Sequence, residues 1–167
     1  MDIGTIIVAV IFISILTLPF IFMHQHRLKL GRKWFHLLND IAHKQDCRIT
    51  RHEFGRKYAL GLDSRNAFFF FVTKKENEYV HAFSKLYGIQ KARAFRQTSN
   101  VNALAHADST LQSEQIGILL APIDKARGEQ QFILFDQVKD GLPGDEWSIA
   151  ESWAKLINEL LSHPDRK

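Results

Sequence analysis

The stretch RNAFFFFVTKK, residues 65–75, sets four consecutive phenylalanines between charged side chains. Its apolar part, residues 67–72, is far shorter than the roughly 20 residues that a helical membrane span requires. The turn-forming residues 63–66 precede it and indicate a tight hairpin, so the run is predicted to be a β-strand. Because alternate side chains of a strand point to opposite faces, both faces of this strand require apolar cover.

Similar short β-rich runs, separated by turn residues, occupy most of the chain after Cys47. They predict about seven antiparallel strands, at residues 48–54, 58–63, 67–73, 78–86, 89–96, 115–121 and 131–138. Residues 97–114 form the longest polar connection, and either a functional loop or disorder would explain them. Ser148 and Glu151 have capping-box spacing and open a predicted amphipathic helix that Pro164 ends. That helix is predicted to cover an open edge or end of the sheet.

The N-terminal residues 3–23 contain no charged side chain. As a helix they would span roughly 30 Å, the thickness of the hydrocarbon core of a bilayer, and they are predicted to cross the membrane once. A cleaved signal peptide is the alternative, but the basic n-region and the small-residue cleavage site are missing. Basic residues follow the run closely, so the N-terminus is predicted outside the cell (inner) membrane and the C-terminal domain in the cytoplasm.

Positive charge is concentrated just after that segment. Residues 24–57 carry nine Lys/Arg against three Asp/Glu, whereas residues 58–167 carry thirteen against fourteen. Basic residues beside a membrane helix gain about 1 kcal/mol each from anionic head groups, so bilayer lipid explains the charge better than nucleic acid does. The predicted head-group contacts are Arg27, Lys29, Arg32 and Lys33.

The same basic segment also has a helical apolar stripe. An amphipathic helix is predicted over about residues 27–45, within a juxtamembrane segment 24–46, and its stripe consists of Leu30, Trp34, Leu37, Leu38 and Ile41. The stripe could lie in the bilayer interface or pack on the following domain. We favour packing on the domain, where the stripe would cover one face of the phenylalanine strand.

The segments YALGLDSRNAFFFFV, VHAFSKLYGIQKARAF and EWSIAESWAKLINELL give about seven short strands followed by one helix. Over residues 47–162 this order resembles a pleckstrin-homology-like (PH-like) domain, particularly the small bacterial forms tethered to membranes; residues 163–167 would be a tail. The resemblance implies a mainly β fold with helices, a bent or split antiparallel barrel closed by the C-terminal helix. It also implies a scaffold that binds lipids, peptides or other subunits.

Two qualifications follow from the residues. Lipid-binding members of that family carry a basic Lys-x-Arg signature in an early hairpin loop, where this chain offers only Arg65, so specific inositol-phosphate recognition is not expected. The rival fold is a cystatin-like α+β roll, in which the helix over residues 27–45 packs across a curved sheet.

Catalytic and metal-binding patterns are weak. The sequence contains no nucleophile elbow, phosphate-binding loop, dinucleotide fingerprint or zinc-protease motif. His24, His26, His36 and His43 have no carboxylate or Cys partners that would complete a metal site. Cys47 precedes Arg48 and Arg51, which could lower a thiol pKa, although an unreactive lone Cys is the simpler interpretation. We therefore predict no enzyme, catalytic residue, cofactor, metal or small-molecule substrate.

The candidate partner surface comprises Lys91, Arg93, Phe69 and Phe71. Lys91 and Arg93 lie in a strand with no purely apolar face, which is typical of a protected edge strand and also of an edge that accepts a partner strand. The phenylalanines would join this surface if the sheet leaves one of their pairs exposed. Two functions remain open: a membrane-anchored interaction module for protein docking or self-assembly, and a lipid-binding or lipid-sensing protein that uses the basic helix and an apolar cavity. An enzyme ranks a distant third.

Overall fold

The computed structural model describes residues 31–76, 78–101 and 111–162, together with Phe12. A helix, α1, covers residues 31–43. The strands are β1 Arg51–Phe54, β2 Tyr58–Asp63, β3 Phe68–Lys75, β4 Glu78–Lys85, β5 Ile89–Val101, β6 Leu111–Pro122 and β7 Gln130–Asp136. Two further helices follow, α2 Gln137–Asp140 and α3 Glu146–Ser162, and short 3-10 turns at Leu86–Gly88 and Lys125–Arg127 connect strands.

The strands form two separate antiparallel sheets. One sheet has the order β1-β2-β3-β4 and the other the order β5-β6-β7. Among the described residues, no strand of one sheet is hydrogen-bonded to a strand of the other, so the barrel does not close. The predicted PH-like bent or split barrel is therefore wrong, although the chain is mainly β with helices. The strands β1, β4, β5 and β7 end their sheets as edges, and closure would have required these edges to pair in two seams.

The larger core lies between the two sheets and α3. Phe69 is fully buried, and its ring lies 5.0 Å from that of Phe132 on β7 and 6.0 Å from that of Trp153 on α3. Phe71 also packs against Phe132, with the ring centroids 5.7 Å apart. One face of the phenylalanine strand β3 is thus covered by the second sheet and the C-terminal helix.

Helix α1 covers the opposite face of β3. Trp34 and Leu38 are 2% and 0% exposed and belong to the same buried cluster as Phe68 and Phe70. Ile41 belongs to the same cluster and Leu37 packs against it, so the predicted packing of the amphipathic stripe against the phenylalanine strand is confirmed for these four residues. Leu30, the first residue of the predicted stripe, lies outside the described residues.

The turn between β2 and β3 depends on one buried carboxylate. Asp63 is 1% exposed, and its oxygens accept hydrogen bonds from the backbone N–H groups of Arg48, Arg65 and Asn66 at 2.8–3.0 Å. Burial raises the pKa of Asp63, but these backbone hydrogen bonds outweigh it and hold the pKa below its usual range. Aspartates at turns are usually exposed, whereas the structure buries this one.

Several other boundaries differ from the sequence prediction. Residues 97–101 and 111–114, which are mostly polar, extend the β5–β6 ladder through pairs such as Gln97 with Gln115 and Thr98 with Glu114. Helix α3 begins at Glu146 rather than at Ser148, and the Glu146 carboxylate accepts a hydrogen bond from the Gly144 N–H at 2.5 Å. Ser148 therefore lies within the first turn of α3 and not at the N-cap position that the S-x-x-E spacing indicates.

Within the described ranges no helix is long and apolar enough to cross a membrane. The predicted transmembrane segment 3–23 lies outside those ranges except for Phe12. Arg27, Lys29 and the tail 163–167 also lie outside them.

Candidate functional site

In the described part of the chain, the sheet orders leave four edge strands, β1, β4, β5 and β7. An edge strand presents unpaired backbone N–H and C=O groups, and proteins usually protect it by covering it, shortening it, bending it or placing charges on it. A long, regular and uncovered edge is a surface to which another strand can pair. The four edges therefore serve as a guide to a binding surface.

Strand β5 is covered by helix α3. The Asn158 side chain accepts a hydrogen bond from the Ala92 N–H and donates one to the Ala92 carbonyl, both at 2.8 Å. A side-chain amide thus occupies the backbone groups that an added strand would use. The open space of about 800 Å³ between β5 and α3 contains this same Asn158 among its lining residues, and strand pairing is blocked at Ala92.

The predicted partner surface is not assembled as one patch. Lys91 and Arg93 are exposed, and Arg93 forms a 3.1 Å ion pair with Glu129 beside a pocket of about 550 Å³. Phe69 and Phe71 are 0% and 6% exposed and belong to the core between the sheets. The packing of both sheets around β3 removes the phenylalanines from the surface, which corrects their assignment as contact residues.

Two more edges are poor pairing surfaces. Strand β1 has only four residues. Strand β7 is interrupted by a bulge, because Ile116 and Gly117 of β6 pair with Phe135 and Ile133 and leave Leu134 as an extra residue. Bulges bend a strand and disrupt its ladder.

Within the described residues, no helix or strand covers the outward edge of β4, and its acidic and basic side chains, Glu78 and Lys85, stand only at its two ends. Its eight residues EYVHAFSK pair with β3 in an unbroken register and contain no glycine or proline. The Leu86 N–H, one position beyond β4, donates to the Ala67 carbonyl at 2.7 Å, which fixes the alternation of the ladder. By this alternation the even-numbered residues direct their backbone groups to β3, and Tyr79, His81, Phe83 and Lys85 direct theirs outward.

Apolar side chains flank this open edge on both faces of the sheet. Val80 is 41% exposed on the face toward the second sheet, and Phe83 is 42% exposed on the face that carries α1. Phe83 also lies against the rings of Phe68 and Phe70, at 6.4 and 6.3 Å between centroids. An added strand would therefore find both backbone partners and apolar contacts along β4.

A groove of about 740 Å³ runs beside the edge, between β3 and β4 of one sheet and β6 and β7 of the other. Its apolar lining consists of Phe71, Val80, Ala82, Phe132 and Ile133. Because the β4 and β7 edges do not pair, this groove is open between them.

The charges around the groove are largely matched. Asp140 lies 2.6 Å from the Lys57 ammonium, and Asp136 lies 3.1 Å from that of Lys139. Burial raises the pKa of Asp136, but the hydrogen bond and charge of Lys139 outweigh it and keep the pKa below the usual range. Among the described residues at the rim, Lys74, Lys75 and Glu76 are exposed and take no part in these two ion pairs.

Reactive chemistry has little support in the described part of the chain. No group of three or more His, Cys, Asp or Glu side chains there is arranged to hold a metal. Burial and the nearby Asp63 raise the pKa of the Cys47 thiol, opposite to the lowering that a reactive cysteine requires. Burial, followed by the charge of Glu146, also raises the pKa of the Tyr58 hydroxyl.

Two predicted head-group contacts fall within the described residues. Arg32 and Lys33 are both exposed on α1. The Lys33 ammonium lies 4.7 Å from the ring centroid of Tyr79 on β4, a cation–π arrangement. This contact links the basic helix to the start of the open strand.

Comparison with known proteins found no matching family model, no matching curated protein and no matching solved structure. The choice of β4 as the candidate site therefore depends on edge geometry alone. The sequence predicts β4 as a strand but not as a binding surface, because the exposed charges of Lys91 and Arg93 indicated a different strand. The available signal was the lack of glycine, proline or paired charge within EYVHAFSK.

Proposed function

We propose that this protein is a membrane-anchored, non-catalytic interaction module that binds a protein strand along β4 on a cytoplasmic domain. The observation that carries the proposal is the contrast among the four edges. Strand β5 is clamped by Asn158, β1 is short and β7 is bulged, whereas β4 is long and regular. Strand addition to such an edge uses backbone hydrogen bonds for affinity and side-chain contacts for specificity.

The anchor follows from the uncharged run at residues 3–23 and from the basic residues after it. Trp34 and Leu38 fix α1 against the sheet that contains β4. A membrane segment before α1 would therefore hold the β4 edge near the bilayer, with Arg32 and Lys33 available for anionic head groups.

A protein strand fits this site better than a lipid chain does. The outward N–H and C=O groups of Tyr79, His81 and Phe83 require hydrogen-bond partners when they are buried, and an acyl chain offers none. A strand satisfies these groups and also covers Val80 and Phe83. Lipid binding is the competing function, and site-specific photo-crosslinking distinguishes it from strand docking.

The test is site-specific photo-crosslinking in membranes that contain the full-length protein. A photoreactive amino acid in place of Phe83 is expected to form protein adducts, because an added strand would lie within reach of this side chain. The matched control position is Ile123, which is 63% exposed and lies beyond the end of β6, and it is expected to give none. Adducts to lipid alone, or equal protein adducts from both positions, would refute strand docking at β4.

A further inference from the structure

We propose that the strand bound by β4 is β4 of a second copy of this chain, paired antiparallel about a two-fold axis at His81. This inference rests on the proposed function, since it requires the same open edge. It adds the identity of the partner, the register and the symmetry.

The register follows from the direction of the backbone groups. A two-fold axis normal to the sheet makes the pair antiparallel and keeps each face of the sheet on the same side in both copies. Residues that lie directly opposite each other in the two copies must then be on the same face of the sheet. With the axis at His81, the hydrogen-bonded pairs are His81 with His81, and Tyr79 with Phe83 of the second copy. All of these residues direct their backbone groups outward, as the Leu86 to Ala67 hydrogen bond establishes.

Side chains along β4 are complementary to their own reversed order. On the face that carries α1, Tyr79 would oppose Phe83 of the second copy, an aromatic cross-strand pair. On the groove face, Val80 would oppose Ala82. Glu78 begins the strand and Lys85 ends it, so antiparallel pairing sets ends of opposite charge side by side, although Glu78 itself opposes Ser84 of the second copy and Lys85 lies on the other face of the sheet. Parallel pairing would set like charges together.

The symmetry also suits two chains in one membrane. Helix α1 packs on one face of the sheet through Phe68 and Phe70, and the proposed axis leaves both copies of α1 on that same face. The segments before α1 would therefore start from the same side of a continuous eight-stranded sheet. A two-fold axis along the strands would place them on opposite faces, which a single bilayer could not easily accommodate.

Disulfide trapping in membranes that contain the full-length protein tests the register. Opposed residues of a hydrogen-bonded antiparallel pair have Cα atoms about 5.5 Å apart, within the roughly 4.4–6.8 Å range of disulfides. With the buried Cys47 replaced by Ala, His81→Cys is expected to form a disulfide-linked dimer under mild oxidation. Ala82→Cys is the neighbouring control, because its diagonal separation of about 7–8 Å is too long for a disulfide.

A dimer band at least about tenfold stronger for His81→Cys than for Ala82→Cys would support the inference, since only the first position is within bonding distance. Equal bands, or a stronger band for Ala82→Cys, would overturn it. If Cys47→Ala impairs folding, the same pair of variants can retain the buried Cys47, and light scattering of the unmodified protein in mild detergent should give twice the mass of the chain. A monomeric mass would overturn self-pairing.

The two proposals fail in different ways. Photo-adducts from position 83 to another protein, without a His81→Cys dimer, would overturn self-pairing and leave strand docking intact. Absence of any protein adduct from position 83 would overturn both.

Discussion

Phe69→Ala is expected to lower the free energy of unfolding by about 3–5 kcal/mol, the usual cost of removing a fully buried phenylalanine ring. The Phe69 ring is 0% exposed and packs edge-on against both Phe132 and Trp153. Its removal would leave a cavity where the two sheets and α3 meet. The loss follows from core packing, because in this fold Phe69 does not reach the surface.

Phe35→Ala provides the matched control, since it removes the same side chain from helix α1, away from the β4 edge. Phe35 is 38% exposed, so its truncation is expected to cost about 1 kcal/mol or less. Urea unfolding of the full-length protein in mild detergent, followed by tryptophan fluorescence, measures both variants. Equal losses of stability would contradict the assignment of Phe69 to the core and Phe35 to the surface.

Trp34→Ala is expected to have an effect of similar size, about 3–5 kcal/mol, because it removes the largest side chain between α1 and the sheet. Trp34 is 2% exposed and meets Tyr79 edge-on at 5.3 Å between ring centroids. Circular dichroism during urea unfolding is a suitable measurement, since it does not depend on the removed fluorophore. If α1 belonged to the bilayer interface instead, unfolding of the β-domain would be unchanged.

Trp34→Phe separates ring packing from the indole N–H. The Trp34 Nε1 atom is buried and has no hydrogen-bond partner among the described residues. A buried donor without a partner costs about 1–3 kcal/mol, so its removal offsets part of the packing lost with the smaller ring. We therefore expect Trp34→Phe to change stability by only about 1 kcal/mol, far less than Trp34→Ala.

Local sequence patterns predicted the packing of the phenylalanine strand. The four phenylalanines alternate between the two faces of β3, so both faces need apolar contacts. The helical spacing of Trp34, Leu38 and Ile41 predicted the helix that covers one of these faces. Both features depend on residues close together in the chain. The separation of the two sheets could not be predicted in this way, because it depends on whether β4 meets β7, strands about 50 residues apart in the chain.

The β5–β6 ladder was missed for a related reason. Residues 97–101 and 111–114 are mostly polar and lack the apolar alternation by which strands are recognised. They nevertheless extend the ladder, since Gln97, Thr98 and Ser99 pair with polar residues on β6. Polar cross-strand pairs of this kind become evident only when the two strands are aligned.

The candidate site was the least predictable part. Lys91 and Arg93 correctly indicated an edge strand, but the protection of that edge comes from Asn158, which is 66 residues away from Ala92 in the chain. Strand β4 carries no positive signal of its own. It becomes a candidate site only by comparison with the other three edges, since β5 is hydrogen-bonded to Asn158, β1 is short and β7 contains a bulge.

Hydrogen exchange of the outward amides of β4, measured residue by residue for the full-length protein in membrane vesicles, tests strand docking most directly. The N–H groups of Tyr79, His81 and Phe83 should exchange slowly because another strand accepts their hydrogen bonds. His81→Pro, which removes only an outward N–H and is tolerable at an edge, should make Tyr79 and Phe83 exchange fast. Val80 and Ala82, whose N–H groups face β3, should remain protected in both proteins. Fast exchange of Tyr79, His81 and Phe83 in the unmodified protein, with Val80 and Ala82 still protected, would contradict docking at this edge.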